Sequence, residues 1–177
     1  MTSLQPTYSD LVNHWNLDQS ITFLNHGSFG AAPIEVLEQQ HQFRMQLENQ
    51  PLRFFMRELP ELHVNTLQYL GAFLNCNPQD LVFVKNATEG VNTVLSSIPW
   101  KKNDRVLITN HGYQACKNAL LINAQRYGFE VDDVQVPYPY ESEEEILKAV
   151  LDGVKPNTRL VMIDHISSPT ALFSRLR

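Results

Sequence analysis

The sequence has little positive charge and little cysteine, and both scarcities exclude classes of protein. Lysine and arginine total 14 against 19 aspartates and glutamates, for a net charge of −5, so no nucleic-acid partner is expected. The two cysteines, Cys76 and Cys116, stand far apart and match no spacing typical of a metal or redox site. We therefore expect no metal, and two separate thiols favour a reducing, cytoplasmic location.

Long apolar stretches are also missing. The amino-terminal segment MTSLQPTYSDLVNHW lacks the apolar core of a secretory signal. No window approaches the roughly eighteen apolar residues of a membrane-spanning helix, so no membrane partner is expected. What remains is an ordinary globular composition, with 43% hydrophobic and 19% charged residues. A chain of 177 residues is long enough for one sizeable core.

The first part of the chain predicts helices and loops. Ser9–Trp15 fits a short amphipathic helix, and a polar pattern predicts a longer helix over Ile34–Asn49. Between them lies FLNHGSFGAAP, a segment rich in small residues whose glycines permit sharp bends. A further helix is predicted over Pro60–Leu74. We expect residues 1–75 to form a helical arm.

After Pro78 the pattern changes to short apolar runs that alternate with helical segments. The predicted strands are Leu81–Lys85, Arg105–Thr109, Glu130–Val136 and Arg159–Asp164, and the predicted helices are Thr88–Ile98, Tyr113–Tyr127 and Ser142–Leu151. Such alternation is typical of βαβ units in a mostly parallel sheet with right-handed crossovers. We expect residues 76–177 to form this α/β part.

Candidate ligand-binding residues follow the predicted strands, because open parallel sheets bind ligands at the carboxyl ends of their strands. The first strand leads into Asn-Ala-Thr-Glu-Gly at residues 86–90, which opens a helix. The unpaired N–H groups and dipole of a helix start suit an anion. Simple capping by Asn86 or Thr88 explains the same residues. The glycines of a mononucleotide or dinucleotide fingerprint are absent.

Two further strand ends carry polar or aromatic groups. In residues 110–113 the ring of His111 or Tyr113 could lie against a flat ligand, and a half-buried aromatic at a helix start is an equal alternative. Residues 164–170, Asp-His-Ile-Ser-Ser-Pro-Thr, offer hydroxyls and an imidazole. They suit the polar edge of a ligand, or a Ser-Pro turn. No serine or cysteine nucleophile in an elbow context accompanies the Asp-His pair, so a hydrolase is not favoured.

Five segments of the chain together carry a resemblance. They are FLNHGSFGAAP, PLRFFMREL, LVFVKNATEGVNTVL, RVLITNHGYQACKNAL and RLVMIDHISSPTAL, in this order. The chain resembles the class V aminotransferase family over about Thr22 to Leu172, particularly its isopenicillin N epimerase-like members and, more distantly, the cysteine desulfurases. The resemblance implies an α/β fold of the aspartate aminotransferase type (fold type I). It also implies pyridoxal 5′-phosphate (PLP) as cofactor, an amino-acid substrate and a homodimer.

The resemblance also implies roles for particular residues. Ala87 and Thr88 match the cradle of the cofactor phosphate, Tyr113 matches the ring that stacks on the pyridine, and Ser168 matches a polar position near the phenolic oxygen. The implied cofactor-binding set is Ala87, Thr88, Tyr113, His165, Ser168 and Thr170. The implied substrate-side set is Asn25, His26, Gly27 and Arg53.

Two functional groups of the family would lie beyond Arg177. One is the aspartate that holds the pyridine nitrogen protonated, and the other is the lysine that carries the cofactor as a Schiff base. The chain's lysines do not stand in that context: Lys85, Lys101, Lys102, Lys117, Lys148 and Lys155. Residues 173–177 also leave the family pattern. We expect an amino-terminal portion of the large domain that lacks a catalytic residue. Alone, it should be marginally stable, aggregation-prone or dependent on a partner.

Three functions stay open on the sequence. The first is a PLP enzyme acting at the α- or β-carbon of an amino acid, with its remainder missing or encoded separately. The second is a catalytically inactive remnant that at most binds PLP or phosphate weakly. The third is an unrelated flavodoxin-like binding module, for which no flavin or nucleotide motif is present.

Overall fold

The computed structural model describes residues 9–172, so the departure from the family pattern at residues 173–177 lies outside the described residues. The chain divides into two compact units, one ending at Leu81 and the other beginning at Val82. Among the described residues, no helix combines the length and apolar character needed to cross a membrane. The assignment of residues 1–75 and 76–177 to an arm and a cofactor domain stays a prediction.

The first unit is helical. Its helices are α1 (His26–Phe29), α2 (Ile34–Asn49), α3 (Pro51–Arg53) and α4 (Leu59–Leu74). A π-helical turn at Phe54–Glu58 joins α3 to α4, and a 3-10 turn occupies Asp10–His14. The prediction for α2 is confirmed at both ends, and α4 begins one residue earlier than predicted. The predicted helix at Ser9–Trp15 is a 3-10 turn for which Ser9 provides the cap.

The second unit is an α/β layer structure. Its elements are α5 (Ala87–Ser97), β1 (Arg105–Thr109), α6 (Gln114–Tyr127), β2 (Glu130–Val134), α7 (Glu143–Gly153) and β3 (Thr158–Val161). The strands pair in the order β2-β1-β3, and both pairings are parallel. The predicted parallel sheet of βαβ units is thus confirmed, although β2 and β3 end earlier than the sequence pattern suggested.

Capping side chains determine where these helices begin and end. The Asn86 side chain accepts the N–H of Glu89 at 2.9 Å, and the Ser142 hydroxyl accepts the N–H of Glu145 at 3.3 Å. Both bonds satisfy donors that a helix leaves unpaired at its first turn. The carboxyl-terminal end of α6 is set by Gly128, where the chain leaves the helix with a φ of 77° that is costly for residues with a Cβ.

The core of the second unit is built around β1, because β1 is the central strand and is covered on both faces. Val106 and Ile108 join a cluster with helix residues Leu95 and Leu120. Leu107 points to the opposite face, where a Cβ added to Gly153 of α7 would meet it. A parallel strand buried on both faces is continuously apolar, and this explains the run Arg-Val-Leu-Ile-Thr.

The predicted strand at Leu81–Lys85 is wrong, because the structure forms no strand there. A strand needs a hydrogen-bonded neighbour, and the two edges of β1 are occupied by β2 and β3. The N–H of Lys85 instead donates to the Glu89 carboxylate at 2.7 Å. Val82 is 77% exposed and Phe83 is 54% exposed, so the apolar composition that predicted a strand is not matched by burial.

Candidate functional site

The amino-terminal end of α5 presents two backbone donors. The Asn86 carbonyl accepts the N–H of Gly90 at 3.2 Å, and its side chain accepts the N–H of Glu89. Within residues 9–172 no backbone hydrogen bond takes the N–H groups of Ala87 or Thr88. Together with the positive end of the helix dipole, these groups form a candidate anion site. Of the two capping candidates, Asn86 is therefore the residue that caps α5, and the side chain of Thr88 does not serve as the cap.

The Thr88 side chain contacts a buried thiol on α6. Its hydroxyl interacts with the thiol of Cys116, which is 7% exposed. Burial raises the pKa of the Cys116 thiol, the charge of Asp164 raises it further, and the hydrogen bond from Thr88 opposes them. A raised pKa disfavours the thiolate, which is the nucleophilic form of a cysteine. Cys116 links the beginnings of α5 and α6 to the segment after β3.

Tyr113 and Asp164 meet at the start of α6. The backbone N–H of Tyr113 donates to Oδ2 of Asp164 at 2.8 Å. A carboxylate at a helix start satisfies an unpaired N–H and interacts favourably with the helix dipole. Tyr113 itself is 48% exposed, which leaves part of its ring available to a ligand. Asp164 therefore fixes the backbone that carries Tyr113, and this contact accounts for Asp164 without a hydrolase pair.

The segment after β3 contains the other predicted cofactor-side residues. His165 and Ser168 are exposed, whereas Thr170 is half-buried. Nδ1 of His111 lies 3.0 Å from the Thr170 hydroxyl, and Nε2 lies 2.9 Å from the Val136 carbonyl. His111 is only 7% exposed, so its ring offers little surface to a flat ligand, and Tyr113 is the better exposed of the two aromatic candidates.

The predicted substrate-side residues all lie in the first unit. Asn25 caps α1 with its carbonyl, which accepts the N–H of Phe29 at 3.0 Å. The ring of His26 packs edge-on against Phe23 with 4.7 Å between centroids. Gly27 has open space where a Cβ would lie. Arg53 pairs with Glu58 at 2.7 Å, an interaction within its own helical segment. The substrate roles of these residues stay a prediction.

Three of the six lysines are held in ion pairs. Lys117, Lys148 and Lys155 pair with Asp133, Asp152 and Asp132 respectively. In the described part of the chain no group of three or more His, Cys, Asp or Glu side chains is arranged to hold a metal ion.

Sequence reasoning missed two residues of this arrangement. It assigned no role to Cys116, which follows Tyr113 by one helical turn and so faces the same side of α6. It also assigned no role to Asp164, because no nucleophile in an elbow context accompanies it and the family's aspartate would lie beyond Arg177. A carboxylate that caps a helix far away in the sequence has no local pattern. Both residues belong to the site through partners that are at least 28 positions away in the sequence: Cys116 interacts with Thr88, and Asp164 accepts the N–H of Tyr113.

Comparisons with known proteins agree on the family. The family model "Aminotransferase class-V" matches residues 24–174. Isopenicillin N epimerase of Streptomyces clavuligerus is 30% identical over 156 residues, which are 88% of this chain and 39% of that protein. L-cysteine desulfhydrase of Arabidopsis thaliana is 27% identical over 97% of this chain and 41% of its own length. The chain thus spans about two-fifths of the length of these curated relatives.

Solved structures agree on the fold. A mutant of C-DES with glycine covalently linked to its PLP cofactor superposes with a TM-score of 0.78, at 22% identity, over 90% of this chain and 42% of that one. The complex of the cystine C–S lyase C-DES with cysteine persulfide gives a TM-score of 0.75 at 20% identity, over 83% of this chain and 39% of that chain. The fold is that of the amino-terminal region of PLP enzymes, as the sequence predicted, and the family's cofactor is PLP. The chain belongs to the class V aminotransferase family.

Proposed function

We propose that this chain is the amino-terminal part of a PLP-dependent enzyme that acts on an amino acid, by epimerisation, amino transfer or carbon–sulfur cleavage. The observation that carries the proposal is the convergence of Thr88, Tyr113 and Asp164 at one end of the sheet, linked through Cys116. Ligands of open parallel sheets bind at this end. The relatives named isopenicillin N epimerase and L-cysteine desulfhydrase support the reaction classes.

The residues at this site fit the parts of PLP. The N–H groups of Ala87 and Thr88 suit a phosphate, because they lie at the positive end of α5. The partly exposed ring of Tyr113 suits the flat pyridine. The exposed side chains of His165 and Ser168 suit the polar edge of the ring. When bound, PLP would supply an electron sink for the substrate's α-carbon, while this chain would hold and orient it.

We further propose that the whole protein is a cytoplasmic homodimer. The helices of the first unit support a partner chain, because they expose large apolar side chains such as Phe73 at 85% and Tyr69 at 82%. Neither cysteine is in a disulfide, with Cys76 exposed and Cys116 buried, which supports a reducing compartment. Sedimentation of the whole protein as a monomer would remove the dimer from the proposal.

Cofactor binding is tested by equilibrium dialysis of the 177-residue chain against PLP, against pyridoxal without the phosphate, and against PLP with added inorganic phosphate. We expect PLP to bind more tightly than pyridoxal and to be displaced by phosphate. Thr88→Val keeps the backbone N–H but removes the side-chain hydroxyl at the same helix start, which we propose as a further donor to the phosphate; a hydrogen bond to a charged group is worth about 1.5–3 kcal/mol. PLP binding should therefore weaken by about tenfold or more.

Matched variants separate a site from general damage. Thr93→Val changes another threonine of α5, whose hydroxyl bonds to the Glu89 carbonyl of its own helix, and should leave the affinity for PLP unchanged. Tyr113→Phe keeps the ring and should bind normally, whereas Tyr113→Ala should lose about two- to tenfold from lost ring contact. Equal affinity for PLP and pyridoxal, or equal effects of the two threonine variants, would count against the site.

The second candidate function is an inactive remnant that binds PLP or phosphate weakly. It is favoured by the three lysines that are committed to ion pairs. Borohydride reduction after incubation with PLP, followed by peptide mapping, is the first step in separating the two functions. One uniquely labelled lysine would indicate an enzyme whose essential lysine is in this chain. Scattered or absent labelling would indicate either the remnant or an enzyme completed by further sequence, and adding that sequence would separate those two.

A further inference from the structure

A buried hydrogen-bond network connects His111 with the segment after β3. The ring of His111 contacts the Val136 carbonyl through Nε2 at 2.9 Å and the Thr170 hydroxyl through Nδ1 at 3.0 Å. The Thr170 hydroxyl lies 2.8 Å from that of Ser167. The Ser167 hydroxyl also accepts the N–H of Leu172 at 2.9 Å. His111 and Ser167 are 7% and 5% exposed, so water does not replace these partners.

The direction of each hydrogen bond follows from the chemistry of the groups. A carbonyl oxygen only accepts, so the proton of a neutral His111 ring must be on Nε2. Nδ1 then accepts, and the Thr170 hydroxyl must donate to it. A hydroxyl has one proton, so Ser167 must donate to Thr170. While this arrangement holds, Thr170 cannot donate to a phosphate or phenolic oxygen, so its contribution to ligand binding is indirect.

The network closes a small loop over residues 167–172. The N–H of Ser167 donates to the Leu172 carbonyl at 3.0 Å, and the N–H of Ala171 donates to the Ser167 carbonyl at 2.9 Å. Ala171 has a φ of 52°, a left-handed conformation that residues with a Cβ seldom adopt and that surrounding contacts must hold in place. Ser168 is exposed within this loop.

We propose that His111 is a positioning residue, which through Thr170 holds the 167–172 loop and so fixes Ser168 at the carboxyl end of the sheet. The proposal that Ser168 there faces the cofactor rests on the proposed function. His111 follows β1 by two residues, so the tether joins the loop to the central strand of the sheet. Val136, on the segment after β2, fixes the other side of the ring.

Two pairs of variants separate the tether from simple packing. Thr170→Val removes the hydroxyl at nearly constant shape, whereas Thr170→Ser keeps it. His111→Asn places an amide oxygen near the position of Nδ1 and keeps an acceptor for Thr170. His111→Gln places an amide nitrogen near Nε2 and keeps the donor to Val136. If the contact were packing alone, the variants that keep the hydrogen bond between Thr170 and residue 111 would not differ from those that lose it.

Amide hydrogen exchange of the 177-residue chain is the first readout, and it requires no cofactor. In Thr170→Val and His111→Gln we expect the amides of Ala171 and Leu172 to exchange about fivefold faster or more, as the loss of one ordinary hydrogen bond implies. Thr170→Ser and His111→Asn should stay near the unsubstituted chain. Unchanged exchange in the amides of α6 verifies that each variant folds. Equal exchange within each pair would overturn the tether.

Equilibrium dialysis with PLP is the second readout. We expect Thr170→Val to weaken PLP binding by about fivefold and Thr170→Ser to restore it, since the loop would no longer hold Ser168 in place. Faster exchange in Thr170→Val with unchanged PLP affinity would overturn the role of the loop in the cofactor site. Failure of the unsubstituted chain to bind PLP would overturn the proposed function, while the exchange result alone still decides whether His111 holds the loop.

Discussion

The two units of the chain differ in how they use their apolar side chains. In the second unit β1 is covered on both faces, and five large side chains are almost completely buried: Leu95, Val106, Leu107, Ile108 and Leu120. Among residues 9–81, Phe54 and Gly71 are buried, and the 16-residue helix α2 buries none of its side chains. Helix propensity alone seldom stabilises a segment of this length, so the first unit depends on further contacts in a way that the second does not.

This difference indicates where substitutions should affect stability. The second unit has the packed core, so changes there should cost free energy of unfolding. Matched changes in the first unit should cost little in the 177-residue chain. The exposed apolar side chains of the first unit also support the expectation from the sequence that the chain alone is prone to aggregate, because exposed apolar helices associate readily.

Leucine truncation should give the largest contrast. Leu120→Ala removes a side chain with 0% exposure from the core cluster of the second unit. We expect a loss of about 2–5 kcal/mol in the free energy of unfolding, from lost burial and the cavity left behind. Leu37→Ala, at a position 49% exposed on α2, should change it by about 0.5 kcal/mol or less. Urea titration followed by circular dichroism measures both, and equal losses would contradict the contrast.

Acid titration should give the next largest contrast. Two bonds from Arg105 to Asp132 lower the pKa of this carboxyl from its ordinary 3.8 to about 2, with further help from Lys155. A folded-state pKa below the unfolded value stabilises the fold above pH about 4 to 5, and this stability is lost as the pH falls towards 2. Asp132→Asn should cost about 1–3 kcal/mol at neutral pH and flatten the pH dependence in that window.

The matched control for Asp132 is Glu35, whose pKa is lowered by a backbone hydrogen bond and by the side chain of His14. This pair is exposed on both sides, with 51% and 61% of the side chains accessible, so solvent screens it. Glu35→Gln should leave stability and its pH dependence unchanged within error. A steeper acid response in Asp132→Asn than in the unsubstituted chain would contradict the assigned sign.

Substitution of glycine should give the smallest contrast. A Cβ at Gly153 would lie 2.4 Å from Cγ2 of Val134, at the packing of α7 against β2. We expect Gly153→Ala to cost about 1–2 kcal/mol, because overpacking exceeds the gain in helix propensity. Gly27→Ala has no atom within 4 Å of the new Cβ and should be neutral or slightly stabilising. Thermal unfolding of the two variants measures this, and a stabilised Gly153→Ala would show that α7 shifts freely.

Local sequence patterns predicted most elements of this fold. The alternation of apolar runs and helical segments predicted the parallel sheet, because burial on both faces selects continuous apolar strands. The predicted bounds of α2 agree with the structure at Ile34 and Asn49. The strand at Leu81–Lys85 was predicted by the same apolar signal, and that prediction failed because pairing depends on a partner strand and not on composition.

The sequence by itself determined the family and the sheet of βαβ units, because ordered motifs and hydrophobic periodicity are local properties. Only the tertiary structure decided which side chains at the strand ends face inward. His111 is buried and bonded while Tyr113 is half-exposed, although the two are separated by a single residue. Their different roles are set by Thr170 and Asp164, more than 50 positions away, and such partners are fixed only when the chain folds.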